Sequence, residues 1–338
     1  MRAPPRTVAL IVIVGVVVAG MTAYALTASS RQRAAVEGAP GVAQVDLGAV
    51  RSGPRIVFRS TAPGAEFGLA AMVPLDDPGG PRAFTDRVCE RVDATTTQAV
   101  CLRTVRGITA NFEAELLDED WDTVRSWPLP GIPSRTRFSP DGTLVATTVF
   151  VAGHSYLSAG FATQTEVARS TGEGYGNLED FLLTVDGAPL TAADRNIWGV
   201  TFAGDDAFYA TAASASAGKT WLVRGTLADR TLTALRENAE CPSLSPDGTR
   251  IAYKKSGGEA APFWSIAVLD LASGEETVLS GEQRSLDDQL EWLDDSTLLY
   301  GMPRTDEPGV TDVWSIGLTA GAAPAVLIPQ AWSPAVVP

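Results

Sequence analysis

His154 is the only histidine in the 338 residues, so any chemistry that needs an imidazole must run through it. It lies in Ala152-Gly153-His154-Ser155-Tyr156-Leu157, and Ser155 beside it invites a nucleophile reading. The nucleophile elbow needs glycine two residues beyond the serine. Leu157 stands there, and no helical periodicity follows. One histidine formally suffices for a Ser-His-Asp triad, but no strand-to-helix context presents this serine. Several histidines are not available for zinc, and three cysteines are too few and badly spaced for a thiolate site. The pairs Asp205-Asp206, Asp287-Asp288 and Asp294-Asp295 recur as turn chemistry and do not mark a glycosidase pair. Asp118-Glu119-Asp120-Trp121-Asp122 could offer carboxylates to Ca²⁺, yet it lacks the glycine-spaced alternation of a calcium loop. It reads as a solvated acidic turn. No catalytic, cofactor or metal residue is therefore assigned, and the chain is read as a non-enzyme.

The elements that surround these residues repeat. Leu244–Leu279 contains a turn, Ser245-Pro246-Asp247-Gly248, then Arg250–Lys254, then Phe263–Leu269, a second turn at Leu271–Glu275, and Glu276–Leu279. Proline presets a turn angle, Asp bonds nearby backbone and Gly takes positive φ. Short β-type runs with tight returns make an antiparallel meander. The aromatic that opens the third strand recurs at Phe67, Phe112, Phe161, Trp221, Trp264 and Trp314, spaced 45, 49, 60, 43 and 50 residues apart. The first-strand turn recurs at Phe138–Gly142, Phe202–Asp206, Leu244–Gly248, Trp292–Ser296 and, truncated, Trp332–Pro334. A period of about 40–50 residues with four strands per period marks a propeller blade.

The expected fold is all-β: a six-bladed propeller of four-stranded antiparallel sheets over residues 51–338. Blades are expected at Pro54–Asp86, Val88–Gly131, Ile132–Pro189, Arg195–Ala239, Glu240–Gly281 and Ser285–Ile328. Glycine-rich Thr171–Gly176 precedes a strand, not a helix, so it makes no phosphate cradle; it reads as a flexible turn between the third and fourth strands of blade 3. Blade 1 lacks a first strand of its own. Gln330–Val336 is expected to supply it and close the ring, removing a sheet edge that would invite other chains. Trp198, Trp292 and Trp332 fall in first strands and Trp221, Trp264 and Trp314 in third strands. A carbohydrate platform is conceivable, but large apolar side chains between blades explain them better.

Ahead of the propeller, Thr7–Leu26 is 20 residues without a charge, long enough to span a bilayer as a helix. Arg2 and Arg6 place its start in the cytoplasm. Two readings compete: an uncleaved anchor over residues 1–26, or a secretory signal cleaved after Ala25 at Ala23-Tyr24-Ala25. Either way the rest is expected outside the cytoplasm, with residues 27–50 as a linker. No cysteine follows the apolar run before Cys89, which argues against a lipoprotein. Cys89 and Cys101 sit in adjacent expected strands of blade 2, and antiparallel neighbours bring Cα atoms to about 5.5 Å, which suits a disulfide. Cys241 is left as an odd thiol.

Charge narrows the partners. The chain stands at −14, and residues 34–338 carry 22 basic against 40 acidic residues. That excludes the basic patch nucleic acid needs and a polybasic membrane contact. High charge serves solubility.

Phe138–Ala146 and Leu244–Tyr253, followed by Ile266-Ala267-Val268-Leu269-Asp270-Leu271-Ala272-Ser273-Gly274-Glu275, resemble the WD-like β-propeller repeat of TolB-type proteins. The resemblance is good in blades 3 and 5, partial in 4 and 6 and weak in 1 and 2. It implies a periplasmic, protein-interacting propeller. An apolar segment stands here in place of that family's separate α/β domain. The expected function is an extracytoplasmic, membrane-anchored or secreted scaffold that binds a protein or peptide of the cell envelope. Propeller ligands meet the ends of the innermost strands, which places the candidate channel-mouth residues at Arg135, Trp198, Glu240 and Asp288. A lactonase- or cyclotransferase-like enzyme with acidic metal ligands at the channel is the alternative, and a purely structural envelope protein is a third reading.

Overall fold

The computed structural model describes residues 5–37, 41–107, 110–151, 162–257 and 263–338. His154, Ser155 and Phe161 lie outside the described residues. The described strands form six sheets. From the inside outward, blade 1 is Ala331–Val337, Arg55–Ser60, Leu69–Pro74 and Ala83–Val88. Blade 2 is Arg91–Ala94, Gln98–Val105, Asn111–Asp118 and Thr123–Leu129. Blade 3 is Ile132–Phe138, Leu144–Val151, Ala162–Arg169 and Gly174–Asn177. Blade 4 is Arg195–Phe202, Ala207–Ser214, Lys219–Thr226 and Thr231–Glu237. Blade 5 is Ala239–Leu244, Arg250–Ser256, Trp264–Asp270 and Glu276–Val278. Blade 6 is Glu291–Asp294, Thr297–Pro303, Thr311–Gly317 and Ala325–Ile328. The six innermost strands contact one another around a ring.

The ring closes as the sequence implies. Arg55 pairs with Val337, Ile56 with Val336 and Ser60 with Ala331, so the last strand of the chain lies innermost in the first sheet. Apolar clusters fill the gaps between sheets. Val57, Met72 and Ala83 of blade 1 meet Val92, Cys101 and Leu117 of blade 2 in one such cluster, and Ala335 and Val337 of the closing strand belong to it. Trp292 and Tyr300 of blade 6 share another with Ala252 and Ile266 of blade 5. Each sheet buries its faces only because it has neighbours, as repeat architectures require.

The turn chemistry is literal. In Ser139-Pro140-Asp141-Gly142 the Asp141 carboxylate accepts from the Ser139 hydroxyl at 2.5 Å and from Thr143 N at 3.1 Å. Asp247 repeats both bonds with Ser245 and Thr249, at 2.5 and 3.0 Å. Gly142 and Gly248 sit at φ 72° and 71°, which glycine tolerates without strain. Gly199 is needed for a second reason. A Cβ there would lie 2.7 Å from the Cα of Cys241, so the inner strands of blades 4 and 5 approach too closely for a side chain.

Blade 3 differs from expectation. Gly174–Asn177 is its fourth strand rather than a flexible turn, pairing Glu166 with Asn177 and Val167 with Gly176. Leu182–Val185 then leaves blade 3 and runs parallel to the outer strand of blade 4, Leu183 beside Leu232. Ala188–Pro189 extends that sheet further. The cause is burial: Phe181 and Leu183 join Phe208 and Leu232 in one apolar cluster. A fully buried Leu or Phe side chain contributes about 1.5–3 kcal/mol, enough to choose which sheet edge a short strand joins.

Pro5–Glu37 is one helix of 33 residues. It continues past residue 26 into the stretch read as linker. Its described side chains, from Ile13 to Leu26, are exposed. Among the described residues no helix is long and apolar enough to cross a membrane, so the transmembrane span expected before residue 27 is not a feature of this structure. The chain then meets blade 1: Gln44 bridges to Arg82, and Val50 is buried in the blade 1–2 cluster.

Candidate functional site

An innermost strand has one edge without a ladder partner, and its N–H groups still need acceptors. This chain answers with a polar side chain one residue before the end of the inner strand in blades 2 to 5, and at the start of that strand, just before Trp292, in blade 6. Asp93, Arg137, Thr201, Ser243 and Glu291 occupy it. Asp93 Oδ2 accepts from Phe138 N at 2.5 Å, Thr201 Oγ1 from Leu244 N at 3.1 Å and Glu291 Oε1 from Val336 N at 3.3 Å. Arg137 reaches across the channel from blade 3. It donates to Ser243 Oγ at 2.8 Å, to the Leu290 carbonyl at 3.1 Å and to Glu291 Oε2 at 2.7 Å. Gln289 crosses elsewhere, donating to the carbonyls of Val200 and Pro242 at 3.3 and 3.1 Å. The channel is thus bridged by side chains.

Two carboxylates share the Arg137 level. Burial pushes Glu291 up to about 7, helped by the nearby charge of Asp93 and opposed by Arg137. Burial likewise raises Asp93, against Arg137 and the backbone donors of Phe138 and Ala94. Desolvation dominates both, since a carboxylate loses more than it regains from one shared guanidinium.

Beyond this level the channel widens toward the turns that end the inner strands. A funnel of about 760 Å³ opens there. Phe138, Phe202, Leu244, Trp292 and Leu293 give it apolar walls; Asp93, Arg137 and Glu291 form its polar depth; Asp247, Asp294 and Asp295 stand on it as acids. The final residue, Pro338, also borders it. A concave apolar surface with a few convergent polar groups is the usual form of a ligand site, and carboxylates shifted by burial inside a cleft point the same way.

The residues singled out from sequence lie at the opposite mouth, where the inner strands begin. Arg135 and Asp288 come together on one small polar cavity of about 20 Å³, with Arg91 and Gln289. Asp288 is buried, accepts from Gly301 N at 2.9 Å and faces Arg91 Nη1 at 3.4 Å. Glu240 accepts from Trp264 Nε1 at 3.0 Å and lies 3.9 Å from Lys254 Nζ. Lys254, 2% exposed, pairs with Asp287 at 2.7 Å. Trp198 is on the inner strand of blade 4 and does not line the cavity. Two tryptophans expected between blades do other duty here as well. Trp264 lies under the Lys254 ammonium at 4.5 Å and Trp332 under the Arg91 guanidinium at 4.2 Å, cation–π contacts. Trp221 and Trp292 are buried in inter-blade clusters.

Sequence reasoning missed Arg91, Asp93, Arg137, Lys254 and Glu291. The signal was available for three of them. Arg137 immediately precedes Phe138, and Glu291 immediately precedes Trp292, so alternation turns them to the face opposite a known apolar marker; Asp93 holds the same phase in blade 2.

Cys89 and Cys101 are joined, with Cα atoms 5.3 Å apart. The bond fastens the crossing from blade 1 to blade 2 onto the second strand of blade 2. Cys241 is free and buried. In the acidic turn Asp118 accepts from Asp120 N and Asp122 N, both at 3.0 Å, and Asp120 pairs with Arg51. Among the described residues no group of three or more His, Cys, Asp or Glu is placed to hold a metal ion.

No protein-family model and no curated protein matches the chain. Solved structures do. TolB from Acinetobacter baumannii superposes with a TM-score of 0.57 at 17% identity, over 88% of this chain and 68% of that one. A puromycin-hydrolyzing peptidase from Mycobacterium tuberculosis gives 0.48 at 16% identity, over 82% and 43%. Oligogalacturonate lyase from Vibrio parahaemolyticus gives 0.44 at 10% identity, over 78% and 77%. The chain has a TolB-like β-propeller fold, and at these identities the likeness extends to fold alone.

Proposed function

We propose that this propeller works outside the cytoplasm, held at a membrane by its N-terminal apolar run or released by cleavage after Ala25, and binds a peptide segment of an envelope protein without chemistry upon it. The carrying observation is the funnel at the turn mouth. Its walls offer Phe138, Phe202 and Trp292 to an apolar or aromatic side chain, and Asp247, Asp294 and Asp295 add negative charge around them. At its depth two carboxylates share one guanidinium. Such a surface suits a segment that carries a basic residue beside an apolar one. An export route is supported by the 20 uncharged residues from Thr7 to Leu26, by their exposure where described, and by the Cys89–Cys101 bond, which an oxidising compartment favours.

The test uses immobilised, capped decapeptides that differ only in a central residue. Peptides with Arg or Lys beside Leu are expected to retain the protein at least tenfold better than those with Gln or Glu, and free peptide should displace it. Equal retention of all members, or none, counts against the reading.

A further inference from the structure

Between the Arg137 crossing and the leading mouth, the polar cavity of about 20 Å³ has room for a single atom-sized occupant. Three guanidinium groups reach its wall, those of Arg91, Arg135 and Arg137. Two are matched by acids. Arg137 pairs with Glu291 at 2.7 Å, and Arg91 faces Asp288 at 3.4 Å. Arg135 is different. It donates from Nη1 to the carbonyl of its own neighbour, Ser134, at 2.8 Å. Its Nε is buried and has no hydrogen-bond partner in the protein. A buried donor without an acceptor is costly, and more so on a charged group.

The other groups on the cavity cannot supply the missing acceptor. Gln289 directs its Nε2 to Val200 and Pro242. Asp288 is committed to Gly301 N and Arg91. Asp93 accepts from Phe138 N and is held toward its neutral form by burial. Toward the mouth, Cys241, Asp288 and Asp287 face Arg135 and, against the pull of burial, hold its guanidinium above its ordinary value, but Asp287 is paired with Lys254 and none of the three gives Nε an acceptor. Repulsion from Arg135 also acts on Arg91: burial, then the Arg135 charge, brings the Arg91 guanidinium down to about 9. Arg91 and Arg135 thus repel one another across the cavity, and Asp288 is the one ionised acid on its wall that faces both.

We propose that this cavity binds one monovalent anion of atomic size, of the chloride class, between Arg91 and Arg135. A halide accepts from several N–H groups at once and brings no hydrogen that needs a partner. The same wall includes Ser333 and Pro334 of the closing strand, so the bound anion ties the inner strands of blades 2 and 3 to the strand that shuts the ring. Anion binding and ring closure are therefore linked, and occupancy raises stability by mass action. Protonation of Glu291, which burial pushes up to about 7, leaves Arg137 on the cavity wall less compensated, so affinity increases as pH falls through 7.

The test is thermal unfolding of the full chain in sodium chloride, sodium bromide or sodium gluconate at matched ionic strength, which removes general screening. Both halides should raise the midpoint by about 2–4 °C over gluconate and saturate. Arg135→Gln should lose that increment, while Lys255→Gln keeps it. Crystals grown in bromide should show an anomalous peak between Arg91 and Arg135. Equal midpoints in halide and gluconate overturn the proposal, as does an increment that survives in Arg135→Gln. Should that variant not fold, the bromide map of the unsubstituted chain decides: a peak at the cavity supports the site, and its absence refutes it.

Discussion

Arg137 on the inner strand of blade 3 and Glu291 at the start of the inner strand of blade 6 meet across the channel, guanidinium Nη2 to carboxylate Oε2, at 2.7 Å. The two side chains are each about 17% exposed. Their bond does two things. It shuts the channel between its mouths, and it holds the depth of the funnel at one fixed charge arrangement. Removing Arg137 strands a mostly buried carboxylate, which is more costly than replacing the whole pair. Arg137→Met should lose about 2–4 kcal/mol in urea unfolding. Arg137→Met combined with Glu291→Gln should recover part of the loss, giving a coupling of about 1–3 kcal/mol. Strict additivity of the two changes would show that the pair is not coupled.

Acid titration should show a maximum. Against the upward push of burial, hydrogen bonds from Lys255, Tyr253 and Arg236 hold Glu276 down to about 2. Glu282 is held down to about 2 in the same way by Arg284 and Tyr300. Their stabilisation is present above the unfolded carboxyl value and is lost as pH falls through about 4.5 toward 2. Glu291 and Glu179 behave oppositely: burial pushes each up to about 7. Between about 4.5 and 7 the folded chain binds more protons than the unfolded one, so their contribution declines as pH rises through that window. Stability should climb from pH 2 to about 4.5 and fall by about 1–3 kcal/mol toward pH 7. Glu179→Gln with Glu291→Gln should flatten the second limb and leave the first. A second limb unchanged in that double variant would refute the assignment.

The disulfide closes a short loop at the first blade junction, with the two cysteines 12 residues apart. Chain-entropy arguments give about 2–3 kcal/mol for a loop of this length. Cys89→Ser with Cys101→Ser should lower stability by that amount. The denatured, non-reduced wild type should show one thiol, Cys241; a titre of three would exclude the bond.

Deleting Gln330–Pro338 removes the innermost strand of blade 1 and exposes the edge at Arg55–Ser60. The buried side chains of Ala331, Ala335 and Val337 go with it. The truncated chain should melt at least about 10 °C lower, or aggregate through the open edge. Unchanged melting would mean that the ring does not depend on its closing strand.

Much of this architecture was legible because the turns carry their own chemistry. The Ser-Pro-Asp-Gly segments at 139–142 and 245–248 name their hydrogen bonds in the sequence, and Phe112, Trp221 and Trp264 stand near the start of the third strands of blades 2, 4 and 5, while Phe67 precedes its strand and Trp314 sits inside its own. The missing first strand of blade 1 implied its complement at Gln330–Val336, and the structure places it at Ala331–Val337. Leu182–Pro189 was not legible, because a short apolar strand fits either of two sheet edges and only the packing of Phe181 and Leu183 selects blade 4. The channel residues were missed for a different reason. Asp93, Arg137 and Glu291 are single polar positions in β-type runs, and their partners lie in other blades. Arg135, Trp198, Glu240 and Asp288 were chosen for the mouth where inner strands begin, while the larger cavity opens where they end.

The choice between mouths is measurable directly. A photo-crosslinking benzoylphenylalanine placed at exposed Pro246 borders the funnel; one at exposed Asp287 borders the leading mouth. Irradiated with a bound Arg-Leu decapeptide, the Pro246 variant should capture the peptide and the Asp287 variant should not. Capture only from position 287, or at neither position by a peptide shown to bind, would contradict a funnel that recognises basic segments.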